Sequence, residues 1–226
     1  MSFAEELNQF LPPDVPNRDA CIEKGARHLE LIAEINQQFN LTRIVDPREA
    51  VIKHTVDSLL PWKLFLASGA KRIVDAGSGP GFPGIPLAIA LPEIQFILLE
   101  STQKKARFLT SAVASLDLPN VEVFAERAED WFKQNRAPLF TARAVVPLER
   151  AVVLFGPALR AGTQALLYKG PDVAAEIEAA AAPPGCRLRV VARYELPEAL
   201  GTRTIVEMLS SSGPARGGSR TGGERK

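Results

Sequence analysis

From Lys71 onward, short β-branched runs alternate with helical patterns, and this alternation restricts the possible folds more than any other feature. "RIVDAG" is followed by a helical pattern near residues 84–90. "QFILLE" precedes "STQKKARFLTSAVASLD", "VEVF" precedes "AEDWFKQN", "LFTARA" precedes "PLERAVVLFGPALR", and "QALLYK" precedes "DVAAEIEAAAA". Strands separated by helix-length connections pair in parallel through right-handed crossovers. The last two runs, "LRVVARYEL" and "TRTIVEML", have only "PEALG" between them, too little for a crossover. They are expected to pair as an antiparallel hairpin. The predicted fold is α/β and Rossmann-like, a mostly parallel seven-stranded sheet ending in that hairpin.

The residues ahead of the first strand read as helical. "DACIEKGARHLELIAEINQQF" places Ile22, Leu29, Ile32, Ile35 and Phe39 at mostly three- and four-residue spacings, one stripe of an amphipathic helix. In "DPREAVIKHTVDSLL", Asp46 is the expected N-cap, Pro47 takes the first helical position, and Pro61 ends the helix. The expected organisation is an N-terminal helical cap over 1–66, an α/β domain over 67–211 and a disordered basic, Gly-rich tail over 212–226.

The net charge of +1 does not advertise a nucleic-acid partner, so any such binding must come from a local patch. In the tail, Arg216, Arg220, Arg225 and Lys226 face only Glu224, a composition able to touch phosphates without choosing sequence. No apolar run approaches the ~18 residues of a membrane span. The start, "MSFAEELNQF", lacks the basic and apolar regions of a secretion signal. Cys21 and Cys186 lie far apart, Cys186 in a Pro-Gly turn, with no metal-ligand spacing. The expectation is a cytoplasmic protein with no disulfide and no metal.

"IVDAGSGPGFPG" leaves the first strand. In an open parallel sheet, ligands bind beyond the carboxyl ends of the strands, where the connection order reverses. Gly77, Gly79 and Gly81 would let the backbone approach a ligand where a β-carbon would collide. Two cofactors compete. Residues 79–84 formally satisfy GxGxxG, the dinucleotide fingerprint, whereas Asp75 to Gly81 fits DxGxGxG, the usual S-adenosylmethionine (SAM) loop. The acid before the first glycine favours SAM, as do the amides missing at Pro80 and Pro83 and the terminal hairpin of class I methyltransferases. Glu100, ending the second strand, is placed to accept from ribose hydroxyls, which either cofactor offers. Ala128 and Glu129, past the third strand, are candidates for the adenine.

Together these stretches resemble one family, the bacterial 16S rRNA N7-guanine methyltransferases called RsmG or glucose-inhibited division protein B. The resemblance lies in "FNLTRIVDPREAVIKHTVDSLLP", "IVDAGSGPGFPGIPLAIALPE", "LLESTQKKARFL", "ERAED", "TARAVVPL" and "LYKG", spanning about residues 36–170 in family order. It implies a class I SAM-dependent methyltransferase that modifies N7 of a guanine in the 530 loop of 16S rRNA, in the small ribosomal subunit. It further implies cofactor contacts from Gly77, Phe82, Ala128, Glu129 and Arg143, with Glu100 toward the ribose. The family often has Asp where Glu100 stands. A monomer without a membrane or metal partner is expected.

The chemistry agrees with that implication. Guanine N7 carries a lone pair and no proton, so its attack needs no general base. Pyrimidine C5 methylation would need an activated cysteine, and neither Cys21 nor Cys186 falls at a strand end over the cofactor. Catalysis then becomes positioning. Arg143 and Lys169, ending the fourth and fifth strands, are expected to face the reaction chamber and to contact guanine O6 or a phosphate. Arg143 could equally anchor the methionine carboxylate of SAM, and Phe82 could stack on the base or line the cleft. His54, Asp57 and Ser58 share one helical face, which cannot supply the strained elbow of a hydrolase triad. Their expected role is bonding the helix to the catalytic domain, with RNA or cofactor-loop contact as the alternative. Lys104, Lys105 and Arg107 crowd a helix start, where cations oppose the helix dipole by ~0.3–1 kcal/mol each. They read either as a solvated face or as contacts for an outside anion such as rRNA phosphate.

Overall fold

The computed structural model of the protein describes residues 1–143, 146–180 and 186–211. Seven strands form one sheet: β1 (Arg72–Ala76), β2 (Gln95–Leu99), β3 (Val121–Phe124), β4 (Leu139–Arg143), β5 (Gln164–Lys169), β6 (Cys186–Glu195) and β7 (Thr202–Ser210). Their order is β3-β2-β1-β4-β5-β7-β6. The first five are parallel, and β7 runs antiparallel to both β5 and β6. The alternating runs gave the predicted sheet because each crossover carries its own helix. The tail expected over 212–226 lies outside the described residues.

Period-two alternation splits the apolar side chains between two cores. Ile73, Phe96, Leu98 and Tyr168 face one core, and Val74, Ile97, Phe140 and Leu167 face the other. The second core is closed by α8 (Ala128–Gln134), α9 (Leu148–Arg160) and α10 (Val173–Ala179). The first is closed by α6 (Gly84–Ala90), α7 (Gln103–Ser115) and all the helices before residue 67. These are α1 (Phe3–Phe10), α2 (Arg18–Asn36), α3 (Pro47–Ala50), α4 (Asp57–Leu59) and α5 (Trp62–Ala67). One continuous core therefore crosses residue 67, with Leu29, Val56 and Leu59 on one side of it and Ile73 and Phe96 on the other.

Local chemistry sets these helices. The Asp46 side chain accepts from the Glu49 amide, and Pro47 opens α3, as expected. Between α3 and α4 the backbone widens into a π-helix, Val51–Val56, which the helical periodicity did not reveal. The buried face of α2 carries Cys21, Gly25, His28, Leu29 and Ile32. Ile22 and Ile35 are only half-buried, and Phe39 lies past the helix end. The face turns because α2 approaches α1 and the π-helix across Gly25, where a β-carbon would stand 3.3 Å from Leu7. Cys186 opens β6 opposite Ser210 rather than sitting in a turn, because the hairpin ladder extends to that residue. Both cysteines are free thiols, and burial pushes the Cys21 thiol up to about 12. Among the described residues no helix is long and apolar enough to cross a membrane, and no cluster of metal-ligating side chains occurs.

Every strand from β4 to β7 sends a polar side chain to the end of the π-helix. Asp57, fully buried, takes Arg143 of β4 at 3.4 Å and Arg203 of β7 at 3.0 Å on one carboxylate oxygen. The Tyr194 hydroxyl of β6 donates to its other oxygen at 3.2 Å, and the Tyr168 hydroxyl of β5 donates to the Ser58 carbonyl at 2.8 Å. The Ser58 hydroxyl bonds the His54 carbonyl, so this serine is a structural group. A parallel link runs from α2, where His28 Nε2 lies 2.8 Å from the Pro80 carbonyl.

Removing the hub leaves two half-buried guanidinium groups without their shared acceptor. Asp57→Ala is expected to cost about 3 kcal/mol of stability by denaturant unfolding, and Asp57→Asn clearly less. An unchanged midpoint for Asp57→Ala would refute the hub.

A second prediction concerns pH. Burial lowers His28 to about 4, and burial with the adjacent Arg143 charge lowers His54 to about 3, both from 6.5. In the unfolded chain they protonate near 6.5. Their stabilisation is therefore complete above that pH and lost as pH falls, at about 1.4 kcal/mol per pH unit for each. Burial raises Asp75 from 3.8 to about 6, so its contribution grows as pH falls across that window and offsets one histidine. The melting temperature is expected to drop between pH 6.5 and 5, as measured calorimetrically. His28→Gln, which keeps a donor for Pro80, should flatten that drop.

Candidate active site

The strand order reverses between β1 and β4, and the glycine loop 77–83 leaves β1 at that point. Its glycines serve different ends. Gly79 adopts φ +58°, and a β-carbon there would meet nothing within 4 Å, so its face is open. Gly81 adopts φ +107°, but a β-carbon would press on Ile85 at 2.6 Å and on the His28 ring at 3.1 Å. Gly81 was expected to bare the backbone to a ligand. In the structure it makes room for the protein's own side chains, and it is not on the cavity wall.

The loop amides can be accounted for one by one. Gly77 and Ser78 donate to the Leu99 carbonyl, and Gly81 and Phe82 donate to the Ser78 carbonyl. Gly79 donates to Glu100 Oε2 at 3.1 Å and Gly84 to Asp75 Oδ2 at 3.0 Å. Residues 80 and 83 are prolines. No amide between residues 77 and 84 is left for a diphosphate, the group that a dinucleotide loop must hold. Asp75 itself is fully buried and points to Gly84, so the acid before the glycines braces the loop from behind.

In front of the loop lies a cavity of about 750 Å³, a size suited to a cofactor-scale ligand. Gly77, Ser78, Gly79 and Phe82 form one wall, Thr42, Lys53 and His54 another, and Arg143, Tyr168 and Lys169 the floor beyond β4 and β5. Of the residues singled out from sequence, Gly77, Gly79, Phe82, Arg143 and Lys169 are thus brought together. Glu100 stands just behind, its carboxylate shared between the Gly79 amide and the Thr102 amide at 2.7 Å. Ala128 and Glu129 begin α8 at the end of β3, two strands from β1, and are not among the lining residues. Lys105 lines the cavity mouth, while Lys104 and Arg107 are exposed.

Both floor cations are anchored by protein acceptors. Arg143 Nη1 donates to the Lys53 carbonyl at 2.9 Å as well as to Asp57, and Nη2 approaches His54 Nδ1 at 3.3 Å. The Asp57 amide donates to the Ile52 and His54 carbonyls, bypassing Lys53, and the Lys53 carbonyl receives the arginine. Lys169 donates to the Val146 carbonyl and to Glu176. Burial pushes the Glu176 carboxyl up, but Lys169 and the Leu148 amide outweigh it and hold it below its ordinary value. Phe82 is 2% exposed, stacked on His54 at 4.5 Å with the Arg143 guanidinium 5.3 Å from its centroid. Its ring packs as a wall of the cleft. Thr42 and Tyr168, although within the stretches that carry the resemblance, and His28 have no site role that the sequence reading assigns. A histidine on an apolar helical face marks His28 in retrospect, while Thr42 carries no local signal.

The family described as rRNA small subunit methyltransferase G (GidB) matches residues 21–203. The ribosomal RNA small subunit methyltransferase G of Solibacter usitatus is 66% identical over 211 residues, covering 92% of this chain and 100% of its own length. That of Xanthomonas axonopodis is 41% identical over 210 residues, covering 87% and 95%. Among solved structures, cofactor-bound Rv0187 from MTB superimposes with a TM-score of 0.57 at 19% identity, over 88% of this chain and 98% of that one. The O-methyltransferase TomG from Streptomyces achromogenes, in complex with SAM, does so with a TM-score of 0.54 at 17% identity, over 81% and 89%. These two share the fold. With the sequence matches spanning nearly its whole length, the chain belongs to the GidB family of rRNA small subunit methyltransferases.

Proposed function

We propose that this protein transfers the methyl group of SAM to N7 of a guanine in the 530 loop of 16S rRNA, acting as a cytoplasmic monomer on the small ribosomal subunit. The observation that carries the choice of N7 is that no free carboxylate or imidazole lines the cavity among the described residues. His54 is held neutral with both ring nitrogens engaged, Asp57 is shared by two arginines, and Glu176 is paired with Lys169. Neither cysteine is on the wall. A nucleophile entering this cavity must bring its own lone pair, as guanine N7 does.

The residues present fit SAM. The spent amides of the loop disfavour a diphosphate, the open face of Gly79 admits a close ligand, and Glu100 offers remaining lone pairs for ribose hydroxyls. Gly77, Gly79 and Phe82 would hold it, with Glu100 behind them and Ala128 and Glu129 toward its adenine. Bound there, SAM supplies an electrophilic methyl on a sulfonium. The protein's part is orientation: Arg143 and Lys169, held by their acceptors, fix the floor and keep positive potential near an RNA backbone.

Four measurements test this reading. Mapping 7-methylguanine in rRNA from cells with and without the gene should show one guanine losing its mark, and an unchanged map would end the assignment. Calorimetry should show SAM binding and no NAD binding. Glu100→Gln should weaken SAM about ten-fold, because an amide cannot serve both loop N–H groups and the ribose. With labelled SAM and unmodified small subunits, kcat/KM should stay flat between about pH 6.5 and 8.5, for want of a titrating base. A rising limb in that range would point to a proton-bearing substrate.

A further inference from the structure

Hydrogen-bond direction can be followed through three side chains on the cavity wall. Arg143 has only donors, so His54 Nδ1, 3.3 Å from its Nη2, must accept. A neutral imidazole that accepts at Nδ1 carries its proton on Nε2. Burial keeps His54 neutral, with its pKa near 3. Nε2 therefore donates to Thr42 Oγ1 at 3.1 Å, and the Ile44 amide donates to the same oxygen at 3.1 Å. A hydroxyl has two lone pairs and one proton. Both lone pairs of Thr42 are taken, and among the described residues its proton has no acceptor.

Thr42 lines the main cavity and also an apolar hollow of about 360 Å³ beside it, walled by Leu29, Ile32 and Ile44. Its free proton thus sits on a partly buried side chain between the two cavities, where a hydrogen bond counts for more than in water. The stronger donors on the floor are held in place by other acceptors, Arg143 by Lys53, Asp57 and His54 and Lys169 by Val146 and Glu176, although each keeps an N–H that these bonds do not use.

A reacting guanine must keep its N7 lone pair bare. The atom beside N7 on the same edge is O6, an acceptor, whereas adenine places an amino donor there. A fixed donor at that edge accepts guanine and rejects adenine. Resting on the N7-guanine reading above, we propose that Thr42 is the specificity-determining residue, donating its hydroxyl proton to guanine O6, and that His54 and Arg143 are positioning residues that set its direction.

The test uses the full-length protein, labelled SAM and small-subunit RNA carrying either guanine or 2-aminopurine at the target, the latter keeping N7 but lacking O6. Wild type should prefer guanine about ten-fold in kcat/KM, the worth of one well-made hydrogen bond. Thr42→Val should lose that preference by falling on guanine alone, with SAM affinity unchanged, and Thr42→Ser should keep it. His54→Phe, which preserves the stack on Phe82 but lacks Nε2–H, should weaken the preference. A Thr42→Val enzyme that retains the wild-type preference would overturn the proposal, including the case of an equal loss on both RNAs, which would mark a phosphate contact. So would a wild type, or a Thr42→Ser enzyme, that does not prefer guanine. Label on neither RNA with wild type would instead sink the functional reading itself.

Discussion

Asp57 is where the molecule is held together at its working end. A carboxylate this deep is tolerated only when its partners satisfy it, and here they come from β4, β6 and β7. The consequence is geometric. Strands that would otherwise end freely at the cavity floor are pinned to one helix turn, and the π-helix is what makes the turn receptive. With the Asp57 amide drawn to the Ile52 and His54 carbonyls, the Lys53 carbonyl is available to Arg143. A helix that covers the sheet thus also positions one wall of the site. That is why residues 1–66 share the core of the sheet instead of standing off it.

The glycine loop follows the same logic of satisfied groups. Its amides are used on Leu99, Ser78, Glu100 and Asp75, so the loop keeps its shape without a ligand. A nucleotide-diphosphate loop does the opposite and holds its amides for the anion. The GxGxxG and DxGxGxG readings overlap at residues 79–81. Hydrogen-bond partners, not spacing, separate them.

Much of this was legible in sequence, and the reasons are specific. The strands announced themselves because β-branched runs such as "RIVDA" and "QFILL" are short and bounded, and the hairpin because "PEALG" cannot hold a crossover. Asp46 and Pro47 were legible as a helix start because capping is local chemistry. What escaped depends on contacts distant in the chain. The buried face of α2 is set by Gly25 against Leu7 and by His28 against Pro80, 52 residues away. Gly81 resembles Gly79 in sequence yet faces Ile85. Arg143 and Lys169 could be placed at strand ends, but not the acceptors that occupy them. Thr42 gains its meaning only through His54 and Arg143.

An active site whose carboxylates and imidazole are all engaged is not thereby inert. A proton-transfer enzyme needs a group whose charge changes during the reaction, which is why such sites keep a carboxylate or imidazole only partly satisfied. Transfer to a ring nitrogen that already has its lone pair asks for no such change. It asks that two reactants be held in line, and rigidity then serves catalysis directly. The buried Asp57 hub, the self-satisfied loop and the neutral, doubly bonded His54 all remove freedom from the cavity wall. In a site where a titrating group would serve no step, fixing the buried carboxylates, imidazole and arginines stabilises the fold and orients the substrate by the same contacts.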